Sequence, residues 1–146
     1  MKITYNKKSI TAELAQAMIA AAANKAIEIN KPMVIAVLDE SGQLKAFHRM
    51  DGAALISIEI AQNKAYTSLA NARGNATHEV YDAIKDNPAL LIGLPHVPRY
   101  TIFGGGYPIR IDNETVGGIG VSGGTAEQDM EVAEAGLAII NSTVKS

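Results

Sequence analysis

The segment Phe103–Asp129, FGGGYPIRIDNETVGGIGVSGGTAEQD, constrains the fold more than any other part of the chain. Three glycine clusters surround two short β runs, and the last cluster leads into a helix start. Glycine has no Cβ, so a glycine inside a strand marks a place where backbone or ligand comes unusually close. Tyr107–Ile111 and Thr115–Val121 read as a hairpin around Asp112-Asn113-Glu114. Thr125-Ala-Glu-Gln128 matches a capping box, in which hydroxyl and amide satisfy orphan backbone donors reciprocally. The helix that follows carries Met130, Ala133, Leu137, Ile140 and Val144 at helical spacing.

The preceding sequence adds further elements. Ser9–Asn30 reads as a helix, capped by Ser9 or Thr11 and ended by Lys31-Pro32, with Leu14, Met18 and Ala22 flanked by Ala15, Ile19, Ala26 and Ile29. The apolar run Val34–Leu38 predicts a central strand covered on both faces. Asp39-Glu40-Ser41-Gly42 supplies a turn, and the return strand puts Leu44, Ala46 and His48 on one face. Asp51 reads as the N-cap of a long helix from about Ala53 to Arg73, stopped by Gly74. A shorter helix near Thr77–Lys85 comes next, then an irregular crossing through Asn87-Pro88 and Leu94–Pro98. Helix, hairpin, helices, hairpin, helix is the order of an antiparallel sheet with helices packed on it. At 146 residues, one domain over residues 1–146 is expected.

Bulk properties narrow the function. A net charge of −2 with scattered Lys and Arg argues against a nucleic-acid footprint. Aromatic content of 5% without Trp leaves few stacking platforms. The absence of cysteine removes disulfides, Fe–S ligation, thiolate zinc sites and a Cys nucleophile. The N-terminus shows no signal-peptide pattern, and the run MIAAAA is far short of the ~20 apolar residues that span a bilayer, so a soluble cytoplasmic protein is expected.

No isolated motif names a reaction. Gly104-Gly105-Gly106 feeds a strand and lacks the Lys-Ser/Thr of a P-loop, which favours a structural use. Ser122-Gly123-Gly124-Thr125 precedes a helix, but Glu127, Asp129 and Glu131 already complement its positive end. His48, His78 and His96 form no zinc pattern. A lone imidazole can hold haem iron, which leaves His48 and His96 as candidate axial ligands, with His48 otherwise a packed residue and His78 solvated. Arg49 and Lys64 could bind a carboxylate or propionate. The plain alternatives are a snorkelling Lys64 and a capping Asp51.

Phe47–Ala70, FHRMDGAALISIEIAQNKAYTSLA, followed by Gly104–Leu137, GGGYPIRIDNETVGGIGVSGGTAEQDMEVAEAGL, resembles the GlcG/HbpS-like haem-binding family, which includes the C-terminal domain of PduO-type proteins. The resemblance covers most of the chain. The specific signal is RMDGA, Asn63-Lys64-Ala65, GGG-x-P, VGGIGVSG and EQD in this order; Arg49, Asp51, Lys64, Gly105, Gly106, Pro108 and Asp129 match recurring positions. Ile92–Ile102 looks less typical of the family.

The resemblance implies a profilin-like α/β (α+β) three-layer sandwich, with a five-stranded antiparallel sheet and helices on both faces. It also implies a homo-oligomer. Three functional expectations follow. The first is a small ligand-binding protein for haem or a corrinoid such as cobalamin, accessory to diol, glycerol or glycolate metabolism. Its site would comprise Arg49, Lys64, Phe103, Gly104, Gly105, Gly106, Tyr107 and Pro108. The second is an enzyme acting on a hydroxyacid, diol or aldehyde, with Lys64, Asp51 and Asp129 as candidate catalytic groups. The third is an accessory or sensor subunit that contacts a dehydratase or another protein from the same operon.

Overall fold

The computed structural model describes residues 1–72 and 74–144, except for the side chain of Val144. Among the described residues, five α-helices and four strands follow one another: α1 Ala12–Glu28, β1 Val34–Asp39, β2 Leu44–Arg49, α2 Ile56–Ala70, α3 Thr77–Ile84, α4 Pro88–Gly93, β3 Gly106–Ile111, β4 Glu114–Ser122 and α5 Ala126–Val144. The four strands form one antiparallel sheet in the order β2-β1-β4-β3. The two hairpins read from sequence therefore sit side by side, joined through β1 and β4.

Strand alternation assigns the two faces. Ile35 and Val37 of β1 join Ile119 and Val121 of β4 in a core shared with Met18 and Ala22 of α1 and Val132 and Ala133 of α5. Val34 and Ala36 turn the other way and pack on Ala61 of α2. Helices thus cover both faces, as the continuous apolar run of β1 requires.

Small residues set the spacing on the α2 face. A Cβ placed on Gly120 would lie 1.9 Å from the Ala61 carbonyl oxygen, and one on Gly118 would lie 2.5 Å from that of Ala65. One on Gly106 would lie 2.3 Å from the Lys64 carbonyl oxygen. The close approach marked by these glycines is made by the α2 backbone. Buried Ala61 and Ala65 and a buried Ser68 hydroxyl complete the contact from the helix side.

Several expectations change. Among the described residues the sheet has four strands, where the resemblance implies five. Residues before α1 are irregular, with Ile10 N–H bonded to the Val116 carbonyl at 3.0 Å. Between α2 and β3, Pro88, Pro95 and Pro98 favour helix starts and bends over a strand ladder. The segment read as an irregular crossing contains α4, begun by Pro88 behind an Asn87 cap, and a 3-10 turn at Leu94–His96.

Asp51 is not a helix cap. Met50–Ala53 closes as a turn, with Ala53 N–H bonded to the Met50 carbonyl at 3.1 Å and Gly52 at φ 83, and α2 starts only at Ile56. An Asp-Gly pair suits such a turn better than a helix start. The helix ends at Ala70, and Arg73, the expected last residue, lies outside the described residues. The predicted helix caps at Thr11 and Thr125 are present: the Thr11 hydroxyl accepts from Leu14 N–H at 3.2 Å, and Thr125 and Gln128 bond reciprocally at 3.0 and 3.2 Å.

Candidate functional site

Lys64 occupies the middle of α2 on the side facing β4, and it is fully buried. It does not snorkel, because Gly105 and Gly106 bring the β3 entry directly over the helix and close the route to solvent. Its ammonium donates to Asp129 Oδ2 at 2.7 Å and to the Val121 carbonyl at 2.9 Å, and it lies 4.9 Å from the centre of the Phe103 ring. Two of the three ammonium donors are thus used in hydrogen bonds, and the Phe103 ring lies beside the charge.

Asp129 is only 3% exposed and reaches back from the first turns of α5. Its Oδ1 accepts from Gly124 N–H at 2.8 Å. The Gly124 amide is therefore engaged by the protein's own carboxylate and the Thr125 amide by the Gln128 side chain, in line with the capped-turn reading. Burial pushes Lys64 below its ordinary pKa and Asp129 above its own, and in each case the partner's charge opposes the shift. Gly105 sits at φ 122, and a Cβ there would lie 2.8 Å from Asp129 Cβ and 2.9 Å from Lys64 Nζ. The glycine is needed both for its left-handed backbone and for room at the pair.

An apolar cleft of about 390 Å³ lies beyond Phe103, lined by His78, Tyr81, Asp82, Ile102, Phe103 and Gly104. Its size falls within the range of small-ligand pockets. Phe103 is 51% exposed and forms the partition between the cleft and the buried pair. His78 stands edge-on to Tyr107 with ring centres 5.8 Å apart, and its enclosed Nδ1 finds no hydrogen-bond partner among the described residues. The Tyr107 hydroxyl donates to Glu134 at 2.7 Å, and burial followed by that carboxylate pushes the phenol pKa up.

The structure groups some of the expected site residues and scatters others. Lys64, Asp129, Phe103, Gly104 and Gly105 gather at the partition, with Gly106 seated on the Lys64 carbonyl. Tyr107 joins through His78, and Pro108 packs beside Gly74. Arg49 and Asp51 do not join them: both are exposed, Arg49 at the end of edge strand β2 and Asp51 in the turn beyond it. His48 is exposed on β2, not packed, because only Ala46 on that face reaches the core. His96 is exposed in the 3-10 turn. His78 is the residue that sequence reasoning passed over. Its signal was weak, since an imidazole beside a Glu in the first turn of a short helix usually faces water. Groups of three or more acidic or imidazole side chains able to hold a metal ion are absent among the described residues, as is any helix long and apolar enough to cross a membrane.

The family model described as haem degrading protein HbpS-like matches residues 10–138, and the chain belongs to that family. It is 42% identical over 130 residues to an uncharacterised 15.0 kDa protein from the dhaT-dhaS intergenic region of Citrobacter freundii, spanning 88% of this chain and 90% of that protein. It is 35% identical over 116 residues to the protein GlcG of Escherichia coli K12, spanning 80% and 83% of the two chains. It is also 39% identical over 122 residues to the corrinoid adenosyltransferase PduO of Citrobacter freundii, spanning 83% of this chain but only 36% of that protein.

Among solved structures, protein ORFY of Klebsiella pneumoniae superposes with a TM-score of 0.86 at 35% identity, covering 97% of each chain. The PduOC:heme complex superposes with a TM-score of 0.83 at 34% identity, covering 91% of this chain and 96% of that one.

Proposed function

We propose that this protein is a small ligand-binding accessory protein whose ligand is a haem-like tetrapyrrole, taken up at the cleft beyond Phe103. The observation that carries the reading is the cleft itself: an apolar recess lined by one imidazole, His78, whose enclosed Nδ1 lacks a hydrogen-bond partner among the described residues and would have to be uncovered, or give way to Nε2, to meet a ligand. A planar apolar macrocycle is favoured by burial against Phe103, Ile102 and Tyr81. An imidazole is an iron ligand when neutral. The solved haem complex of a 34% identical relative supports the same chemistry. The resemblance to PduO makes a corrinoid the alternative tetrapyrrole. The family resemblance is the basis for the accompanying proposal of a homo-oligomer that acts beside diol, glycerol or glycolate metabolism with a protein partner.

The enzyme reading gains nothing from Lys64, which is fully buried and held by two hydrogen bonds. The ligand reading is tested by spectroscopic titration of the full chain with hemin and, separately, with cobalamin. A saturable Soret shift near one hemin per chain, lost in His78→Ala but kept in His48→Ala and His96→Ala, supports it. Non-saturating shifts with both ligands overturn it, and loss only in His48→Ala or His96→Ala moves the ligand to those residues.

A further inference from the structure

A second cleft, of about 450 Å³, lies between the β1–β2 turn and α2 and shares no lining residue with the first. Leu38, Leu44 and Ile58 give it apolar surface, while Arg99, Glu59 and Gln62 supply polar groups. Arg99 is held in place more firmly than an exposed arginine usually is. Its guanidinium stacks 3.8 Å from the centre of the Tyr66 ring, and Nη2 donates to the Gly42 carbonyl at 3.0 Å. Its backbone sits at φ 67, a conformation that a non-glycine residue adopts only when its surroundings enforce it. Thr67 enforces it: the Thr67 hydroxyl donates to the Arg99 carbonyl at 3.0 Å and accepts from Thr101 N–H at 2.8 Å.

A strained backbone, a stack and a tether thus fix one guanidinium at a cleft, with donors to spare beyond the one used on Gly42. Such a fork is preorganised for a carboxylate. Glu59 lines the same cleft, and no ion pair joins it to Arg99. A simple carboxylate would meet Arg99 but leave Glu59 as an unneutralised neighbour, and a simple amine would do the reverse. A ligand bearing both charges satisfies both groups. The Gln62 amide donates to the Ile58 carbonyl at 3.0 Å, which leaves its oxygen able to accept from an ammonium.

We propose that this cleft binds a small zwitterion with an apolar body, in its chemistry an apolar α-amino acid. Arg99 receives the carboxylate, Glu59 the ammonium, and Leu38, Leu44 and Ile58 cover the side chain. This site is independent of the tetrapyrrole reading.

The test is an NMR titration of the ¹⁵N-labelled full chain with three probes of similar shape: L-leucine, 4-methylpentanoate, which lacks the ammonium, and 3-methylbutylamine, which lacks the carboxylate. L-leucine is expected to give saturable shifts at the Arg99 and Gln62 side-chain signals, and each singly charged probe to bind at least about tenfold more weakly. Arg99→Lys should weaken L-leucine about tenfold, because a point charge cannot make the bidentate contact. Glu59 is exposed on α2, so Glu59→Gln leaves the fold intact, and it should erase most of the preference for L-leucine over 4-methylpentanoate. Absence of saturation, equal binding of 4-methylpentanoate by the unaltered chain, or an unchanged preference in Glu59→Gln would each overturn the proposal.

Discussion

Lys64 of α2 and Asp129 of α5 meet at 2.7 Å, with side-chain exposures of 0% and 5%. The contact joins the two helical layers past the end of β4, since the same ammonium also binds the Val121 carbonyl of that strand. A buried pair adds little net stability over an apolar replacement, but removing one partner strands a charge. Lys64→Met should therefore destabilise the fold by about 3–5 kcal/mol. Lys64→Met combined with Asp129→Leu should recover part of that loss. Urea unfolding midpoints of the two variants check this, and a double variant no more stable than Lys64→Met would contradict it.

Glycine substitutions should separate by location. Gly120→Ala places a methyl 1.9 Å from the Ala61 carbonyl oxygen, and neither backbone can yield locally, so a loss of about 3 kcal/mol or more is expected. Gly93→Ala meets nothing within 4 Å at the end of α4 and should gain about 0.5 kcal/mol through reduced backbone entropy of the unfolded chain. Thermal unfolding distinguishes the two, and similar effects at both sites would refute the packing argument.

Tyr107 predicts an alkaline limit. Burial first, then Glu134, raises the phenol above its ordinary pKa of 10.0. Above that value the unfolded chain loses the proton while the folded chain keeps it, so the folded state binds more protons. Stability from this group is full below pH 10.0 and is lost as pH rises toward the folded value. Tyr107→Phe should flatten the decline above pH 10.0 in urea unfolding. An unchanged slope would show that other groups govern it.

Phe103 should matter to the cleft more than to the fold. Its ring is half exposed, so Phe103→Ala removes wall area and the aromatic contact with Lys64 while leaving the ion pair in place. Hemin affinity is expected to fall about tenfold or more, with a stability change of about 1 kcal/mol. Fluorescence-free readouts suit the chain, which lacks Trp: Soret absorbance for binding and circular dichroism for unfolding.

Much of this architecture was legible because local signals agreed. The run Val34–Leu38 is buried on both faces, the Thr125–Gln128 box closes as its spacing demands, and the glycines of β4 mark a close approach. What the glycines approach was not legible, since sequence does not say whether helix or ligand fills the space. Asp51 misled because an Asp before an apolar run fits a helix cap and a turn equally well. Lys64 was singled out with Asp51 and Asp129 as candidate companions, but which of them meets it depends on where α5 begins beyond the end of β4, a contact between residues 65 positions apart. His78 read as solvated, and Arg99 drew no reading, for the same reason. Each acquires meaning only from a distant neighbour, Phe103 and Tyr107 in one case, Tyr66 and Gly42 in the other.

The α2–β4 seat has a mechanical corollary. Side chains absorb a small displacement by changing rotamer, but Gly106, Gly118 and Gly120 have none to change, and they meet α2 at its carbonyl oxygens. The helix behaves there like a rail bolted to its bed. Residues 58–62 of that rail border one cleft, and Lys64 underlies the wall of the other. The two clefts thus share one stiff element as a common wall.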